Sequence, residues 1–194
     1  MRLELLPRFD AAAFADRVRI YKDLLTRFNA VHNLTNFKDI EANINDSVGI
    51  LNFADFSGAG RIVDVGSGAG FPAIFLAFLL KSEFYLFEPN PKKAAFLRMV
   101  KIECALKNTH IIKEKIQAYK ADFKADIITS RALMRVRDLM RICLHLSGED
   151  TIFALYKGSG AHDEMQGLQN YQIFEKGLRK YCVFKASMQN STEG

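Results

Sequence analysis

The stretch RIVDVGSGAGFP, residues 61–72, restricts the fold more than any other part of the chain. Residues 61–65 are rich in β-branched side chains and read as a strand. Gly66, Gly68 and Gly70 follow at alternate positions, and the apolar run FPAIFLAFLL begins directly after them. Glycine permits positive φ and leaves no side chain between the backbone and a ligand. Strand, glycine turn and helix in that order mark the ligand-binding end of an α/β sheet, beyond the carboxyl ends of the strands. A glycine pair alone is more simply a tight turn; three in register favour a nucleotide-like ligand. The loop is not a P-loop, because no lysine followed by serine or threonine closes it. Nor does it follow G-x-G-x-x-G, since Phe71 stands where the third glycine would fall.

The rest of the chain fits this reading. After Gly60, the short runs EFYLFE, THIIK, ADIITS and DTIFALY alternate with longer amphipathic stretches such as PKKAAFLRMVKIECALK. Such alternation implies a parallel sheet with helices on both faces. The last runs, YQIFE and KYCVFK, are joined by a short link containing Gly177, so an antiparallel hairpin should finish the sheet. Upstream, Phe14, Val18, Tyr21, Leu25 and Phe28 repeat at helical spacing and predict a helix over 10–29. Ile40, Ile44, Val48 and Leu51 predict a second over 39–56, after the polar link HNLTNFK. The expected organisation is an N-terminal helical extension, residues 1–59, followed by an α/β domain, residues 60–194.

Composition excludes several classes. No run of 18 apolar residues exists, so no membrane-spanning helix is expected. The opening MRLELLPRFD has an early acid and no long apolar core, which argues against a secretory signal there, and the polar NSTEG is expected to fray. Cys104, Cys143 and Cys182 are odd in number and form no C-x-x-C pair, so neither disulfides nor zinc are indicated and a reducing cytoplasm is expected. His32, His110, His145 and His162 show no ligand spacing, and no metal is expected. The formal net charge of +5 permits a polyanionic partner.

Two carboxylates narrow the ligand. Asp64 sits two residues before Gly66, a place better suited to an ammonium group than to a pyrophosphate. S-Adenosylmethionine carries an ammonium and a sulfonium and no phosphate. Glu88 ends the second strand, where a carboxylate accepts ribose hydroxyls in dinucleotide folds. The glycine loop, the two acids and the terminal hairpin together give the class I methyltransferase pattern: a Rossmann-like, mostly parallel sheet.

The chain also resembles, over nearly its whole length, the bacterial RsmG (GidB) type of 16S ribosomal RNA methyltransferase. The matching pieces are NLT at 33–35, Asp46-Ser47, VDVGSGAGFP at 63–72, KKAAFL at 92–97, SRAL at 130–133, LYKG at 155–158, and Arg179 with Lys185. The resemblance implies methylation of N7 of a guanine in small-subunit RNA. It also implies cofactor contacts from Gly66 and Phe71, adenine contacts from Ile116 and Gln117, and closure of the site by Arg131. The chain departs from the family at Asn43, where histidine is usual, at Ala73, where glycine is usual, and at Glu88-Pro89, where aspartate followed by serine is common.

The chemistry fits that acceptor. Methyl transfer from a sulfonium is an in-line displacement that asks the protein chiefly for positioning. The loop TSRALMR after the fourth strand holds no cysteine and no proline pair, and Cys143 falls in the helix pattern beyond it. Guanine N7 already carries a lone pair and needs no base. Arg131 and Lys157, at strand ends, are the candidates for orienting substrate. Lys92, Lys93, Arg98, Arg135, Arg137 and Lys157 are candidate phosphate contacts, and the 131/135 and 137/141 spacings read as shared helix faces. The expected partner is 16S rRNA or the small subunit, met by a monomer away from membranes. Two other readings stay open, a small-molecule methyltransferase and a non-catalytic RNA-binding module.

Overall fold

The computed structural model describes residues 10–186. The expectations for the first nine residues and for NSTEG lie outside them. Helix α1, Ala11–His32, starts where the Asp10 carboxylate accepts the amide of Ala13 at 2.9 Å, and ends at Asn33 in the left-handed conformation (φ 49°). Helix α2, Ile40–Gly49, is capped in the same way by Asp39, at 2.8 Å from the Ala42 amide. It is shorter than the periodicity predicts, because the chain tightens into a 3-10 turn over Ile50–Asn52.

The alternating region follows as β1 (Arg61–Val65), α3 (Ala73–Leu79), β2 (Glu83–Phe87), α4 (Pro91–Glu103), β3 (Thr109–Ile112), β4 (Ala125–Arg131) and α5 (Val136–Cys143). Then come β5 (Ser147–Lys157), the short α6 (Ala161–Met165), β6 (Gln172–Lys176) and β7 (Arg179–Lys185). The seven strands form one sheet in the order β3-β2-β1-β4-β5-β7-β6. The first five strands run parallel, and β7 lies antiparallel to both β5 and β6, as the hairpin reading requires. Among the described residues no helix is long and apolar enough to cross a membrane.

One expectation needs correction. Arg131 and Arg135 do not share a helix face, because Arg131 is the last residue of β4 and Arg135 is the N-cap of α5. Ala132, between them, adopts φ 51°, which no helix accommodates. Only Arg137 and Arg141 lie on the helix.

Each face of the sheet has its own core. One cluster joins α1 and α2 to α3, α4 and the glycine loop, with Phe75, Phe84 and Phe96 fully buried. The other joins α5 and α6 to the opposite face through Val63, Ile128, Leu139 and Met165. Tyr21 ties α1 into the first cluster. Its ring meets Phe71, Phe75 and Phe96 edge-on at centroid distances of 5.7, 4.8 and 5.6 Å. Its hydroxyl donates to the carbonyl of Ala69, inside the glycine loop, at 2.6 Å. Tyr21→Phe keeps the ring and deletes that bond, leaving a buried carbonyl unpartnered. The expected loss is about 1–2 kcal/mol of unfolding free energy in urea titrations.

Candidate cofactor and RNA site

The site lies where β1 and β4 run side by side. The chain leaving β1 returns through α3 on one face, and the chain leaving β4 returns through α5 on the other, which makes their carboxyl ends the switch point where ligands bind in such sheets. A cleft of about 950 Å³ at the other end of the strands, lined by Gly60, Ser82 and Glu83, is remote from it.

The glycine loop is anchored to β2. The amides of Gly66 and Ser67 both donate to the Phe87 carbonyl, at 2.9 and 3.1 Å. The amide of Gly68 donates to Glu88 Oε2 at 2.7 Å, while Glu88 Oε1 accepts the Asn90 amide at 2.8 Å. Each carboxylate oxygen has two lone-pair positions, so Glu88 retains one acceptor position per oxygen for a pair of hydroxyls. All three glycines have positive φ: 73° at Gly66, 58° at Gly68 and 97° at Gly70. Their surroundings differ. A Cβ on Gly70 would lie 2.6 Å from Ile74 and 3.1 Å from Leu97, and one on Gly66 would lie 2.8 Å from the Leu133 side chain. A Cβ on Gly68 would meet nothing closer than 3.9 Å. Gly70 is therefore required by packing, whereas Gly68 borders open space.

Asp64 is 1% exposed. Thr129, its partner in the β1–β4 register, donates to Oδ1 at 2.6 Å. Oδ2 is buried and has no hydrogen-bond partner. Burial raises the Asp64 pKa to about 7, opposed by the hydroxyls of Ser67 and Thr129 and aided slightly by the neighbouring Glu88 charge. Arg131, the last residue of β4, carries the opposite deficit. Its side chain is 10% exposed, and its Nη1 is likewise buried without a hydrogen bond, 3.4 Å from Asp46 Oδ2. Its Nη2 donates to Asn43 Oδ1. Its guanidinium lies 4.9 Å from the centroid of Phe37 and 5.6 Å from that of Phe71. One unsatisfied acceptor and one unsatisfied donor thus flank the loop. S-Adenosylmethionine fits this donor set: its ammonium suits Asp64 Oδ2, its ribose diol suits Glu88, and an unencumbered Gly68 leaves room for close approach.

Asp46 was visible in the sequence only as part of a matching pair. In the fold it receives Arg179 Nε on both oxygens at 2.9 Å and the Tyr181 hydroxyl on Oδ1 at 3.2 Å. Thr129 gave no sequence signal and Tyr21 showed only as one apolar position of the first helix, because their roles depend on strand register and helix docking. The Asn43 departure from the family supplies a partner for Arg131, and Ala73 is fully buried at the start of α3. Ile116 is buried against Phe87 in the second cluster, in a 3-10 turn after β3, with Gln117 exposed beside it.

The basic candidates divide. Lys92 and Arg98 are exposed on α4 and Lys93 is half-buried, while Arg135 is exposed at the start of α5. Arg137 is exposed, and one of its guanidinium nitrogens donates to the Gln166 carbonyl at 3.2 Å. Lys157 departs from expectation. It ends β5, but it is 5% exposed and its ammonium is taken by the Met134 carbonyl at 2.5 Å and by Glu164 at 2.7 Å. An ammonium so enclosed is a strut between β5, α6 and the 131–135 loop, not a phosphate contact or a group that orients substrate. Burial pushes the Cys143 thiol up to about 12, and those of Cys104 and Cys182 to about 11, so none is a ready nucleophile.

A model of the family described as rRNA small subunit methyltransferase G (GidB) matches residues 15–192. The chain belongs to that family of methyltransferases. A ribosomal RNA small subunit methyltransferase G from Campylobacter jejuni subsp. jejuni serotype O:23/36 (strain 81-176) is 59% identical over 182 residues, spanning 94% of this chain and 97% of its own. The protein of the same description from Campylobacter fetus subsp. fetus (strain 82-40) is 43% identical over 174 residues, 89% of this chain and 94% of its own. Among solved structures, the T. thermophilus 16S rRNA N2 G1207 methyltransferase (RsmC), in complex with AdoMet and guanosine, aligns with a TM-score of 0.62 at 14% identity over 77% of this chain and 44% of that one. A ribosomal protein L11 methylase from Lactobacillus delbrueckii subsp. bulgaricus aligns with a TM-score of 0.60 at 17% identity over 77% of this chain and 80% of that one. The sheet is the class I methyltransferase sheet. Within this member of the family, Gly70 and Gly68 should separate by the stability each loses to a Cβ. Gly70→Ala combines left-handed strain with a clash and should cost about 2–4 kcal/mol in chemical denaturation. Gly68→Ala should cost only about 1–2 kcal/mol, because strain acts there alone.

Proposed function

We propose that this protein transfers the methyl group of S-adenosylmethionine to N7 of a guanine in 16S rRNA. We place it in the cytoplasm as a monomer, with residues 60–194 performing the transfer and residues 1–59 serving as an extension over the site. The observation that carries the reading is the buried, unpartnered Asp64 Oδ2 beneath the glycine loop, in a chain whose family is one of small-subunit rRNA methyltransferases.

When bound, the cofactor supplies an electrophilic methyl group on a sulfonium. Asp64, ionised, takes its ammonium, and Glu88 takes its ribose hydroxyls while keeping the Gly68 amide. Gly66 and Phe71 line the loop against it, Ile116 and Gln117 border the adenine, and Arg131 closes the far side. Lys92, Lys93, Arg98, Arg135 and Arg137 supply positive charge for the RNA backbone. N7 would form the new bond with its own lone pair as the methyl–sulfur bond breaks and its electrons return to sulfur as a neutral thioether, so no side chain would be required to remove a proton. The residues contribute orientation and exclusion of water.

Mass mapping of small-subunit RNA from cells with and without the protein tests the reaction, and one guanine should lose 14 Da of modification when the protein is absent. Labelled methyl that passes to small acceptors and not to RNA would instead favour a small-molecule enzyme. The Asp64 pKa of about 7 adds a pH dependence. The cofactor's ammonium binds the ionised carboxylate, so affinity should rise with pH up to about 7 and fall as Asp64 takes up a proton below it. Between pH 5 and 7, below the range where an α-amino group titrates, calorimetry should show tightening by up to about tenfold per pH unit, the limit for one proton. Asp64→Asn should remove that slope.

A further inference from the structure

Phe37 is an exposed ring held in place at the mouth of this site. It lies in the link between α1 and α2 and is 40% exposed. Its centroid is 5.2 Å from that of Phe71, edge-on at 85°, and the Arg131 guanidinium lies 4.9 Å from it. The link is braced on both sides. Asn29 donates its Nδ2 to the Thr35 carbonyl at 3.0 Å and accepts the Thr35 amide on Oδ1 at 2.9 Å. Thr35 Oγ1 accepts the Phe37 amide at 3.3 Å. Arg131 is itself fixed by Asp46 and Asn43. A single exposed apolar residue on a loop is ordinary. This one is unusual: its amide is bonded to Thr35, Thr35 is bonded twice to Asn29, and a clamped cation lies on its ring, next to the glycine loop, where a reacting base must arrive.

We propose that Phe37 is the platform on which the target purine stacks. The inference rests on the methyl-transfer reading above and adds to it the residue that seats the acceptor. An aromatic ring suits this task because every base has a π-face, and a ring already immobilised loses little entropy when the base lands on it. The braces are then explained: they hold the ring at a fixed height above the cofactor loop, and with it the N7 atom of a stacked guanine. Phe37 acts through stacking and positioning, and no proton or bond changes on it.

The chain contains no tryptophan, so Phe37→Trp creates a single fluorescent reporter at the platform. Its emission should be quenched when unmodified small ribosomal subunits are added. Phe37→Leu gives up the ring contact with Arg131 and should melt somewhat lower while staying folded and keeping most of its S-adenosylmethionine affinity, whereas kcat/KM toward those subunits falls five- to one-hundred-fold, the range expected for one lost stacking contact. Phe37→Trp should recover most of that fall. Unchanged Trp emission, or full activity of Phe37→Leu, would overturn the platform. So would a loss of cofactor affinity in Phe37→Leu equal to its loss of activity, which would make Phe37 a packing residue of the glycine loop. A wild-type protein that binds the cofactor yet methylates no subunit overturns the reading of the reaction instead.

Discussion

Two neighbouring strands that send their chains to opposite faces leave a gap that no side chain of the sheet closes. In this protein the gap lies between β1 and β4, and the rest of the architecture follows from it. The glycine loop can pass over the gap because Gly66 and Ser67 share the Phe87 carbonyl and Gly68 is held by Glu88. Helix α1 reaches across to hold the other side of the same loop, through Tyr21 and Ala69. The extension is therefore fastened to the loop that defines the site. It shares the loop's buried cluster, and its link places Phe37 beside Phe71.

The two carboxylates at the gap are held differently. Glu88 accepts two backbone amides, which compensate its partial desolvation. Asp64 has one hydroxyl and one empty oxygen, and burial disfavours its charge. A buried polar atom without a partner costs free energy, and such atoms gather where a ligand completes the hydrogen bonding. The proposed ammonium would supply what Thr129 does not. The same pairing argues against Asp64 as a general base, since a carboxylate neutralised by an ammonium is a poor proton acceptor. Guanine N7 needs none.

Much of this was legible in the sequence, and the divisions are instructive. The strands, the glycine loop and the terminal hairpin were readable because each depends on local periodicity and on residues that few other conformations tolerate. Gly66, Gly68, Gly70, Asp64 and Glu88 were singled out because their spacing follows the strand–turn–helix geometry, and the fold gathers them at the carboxyl ends of β1 and β2. Arg135 was assigned to a helix it only caps, because a four-residue spacing cannot show that Ala132 turns left-handed. Lys157 was read as a group that orients substrate or contacts phosphate because its partners, Met134 and Glu164, come from two other segments. Thr129 escaped attention, and Asp46 drew it only as part of a matching pair, for the same reason: their partners lie 65 and 133 residues away, at Asp64 and Arg179.

The charge balance around Asp46 bears on how substrate is recognised. One carboxylate faces two guanidiniums, Arg131 at 3.4 Å and Arg179 at 2.9 Å. The group therefore carries a surplus positive charge in a place where Arg131 is 10% exposed and Arg179 21%. Desolvated charge is costly unless it is paired, and here burial lowers the pKa of Arg131. Asn43 offers a dipole and Phe37 and Phe71 offer π-faces, which soften that cost without cancelling a charge. An anion arriving from outside would cancel it, and the proposed reaction brings two: the carboxylate of the cofactor and the phosphates of the RNA. Either would meet a cation already oriented, with most of its ordering entropy lost on folding. The arginine cluster is thus incomplete by itself in the same sense as Asp64, and the two deficits have opposite signs, which is what a zwitterionic cofactor bound beside a polyanion would correct.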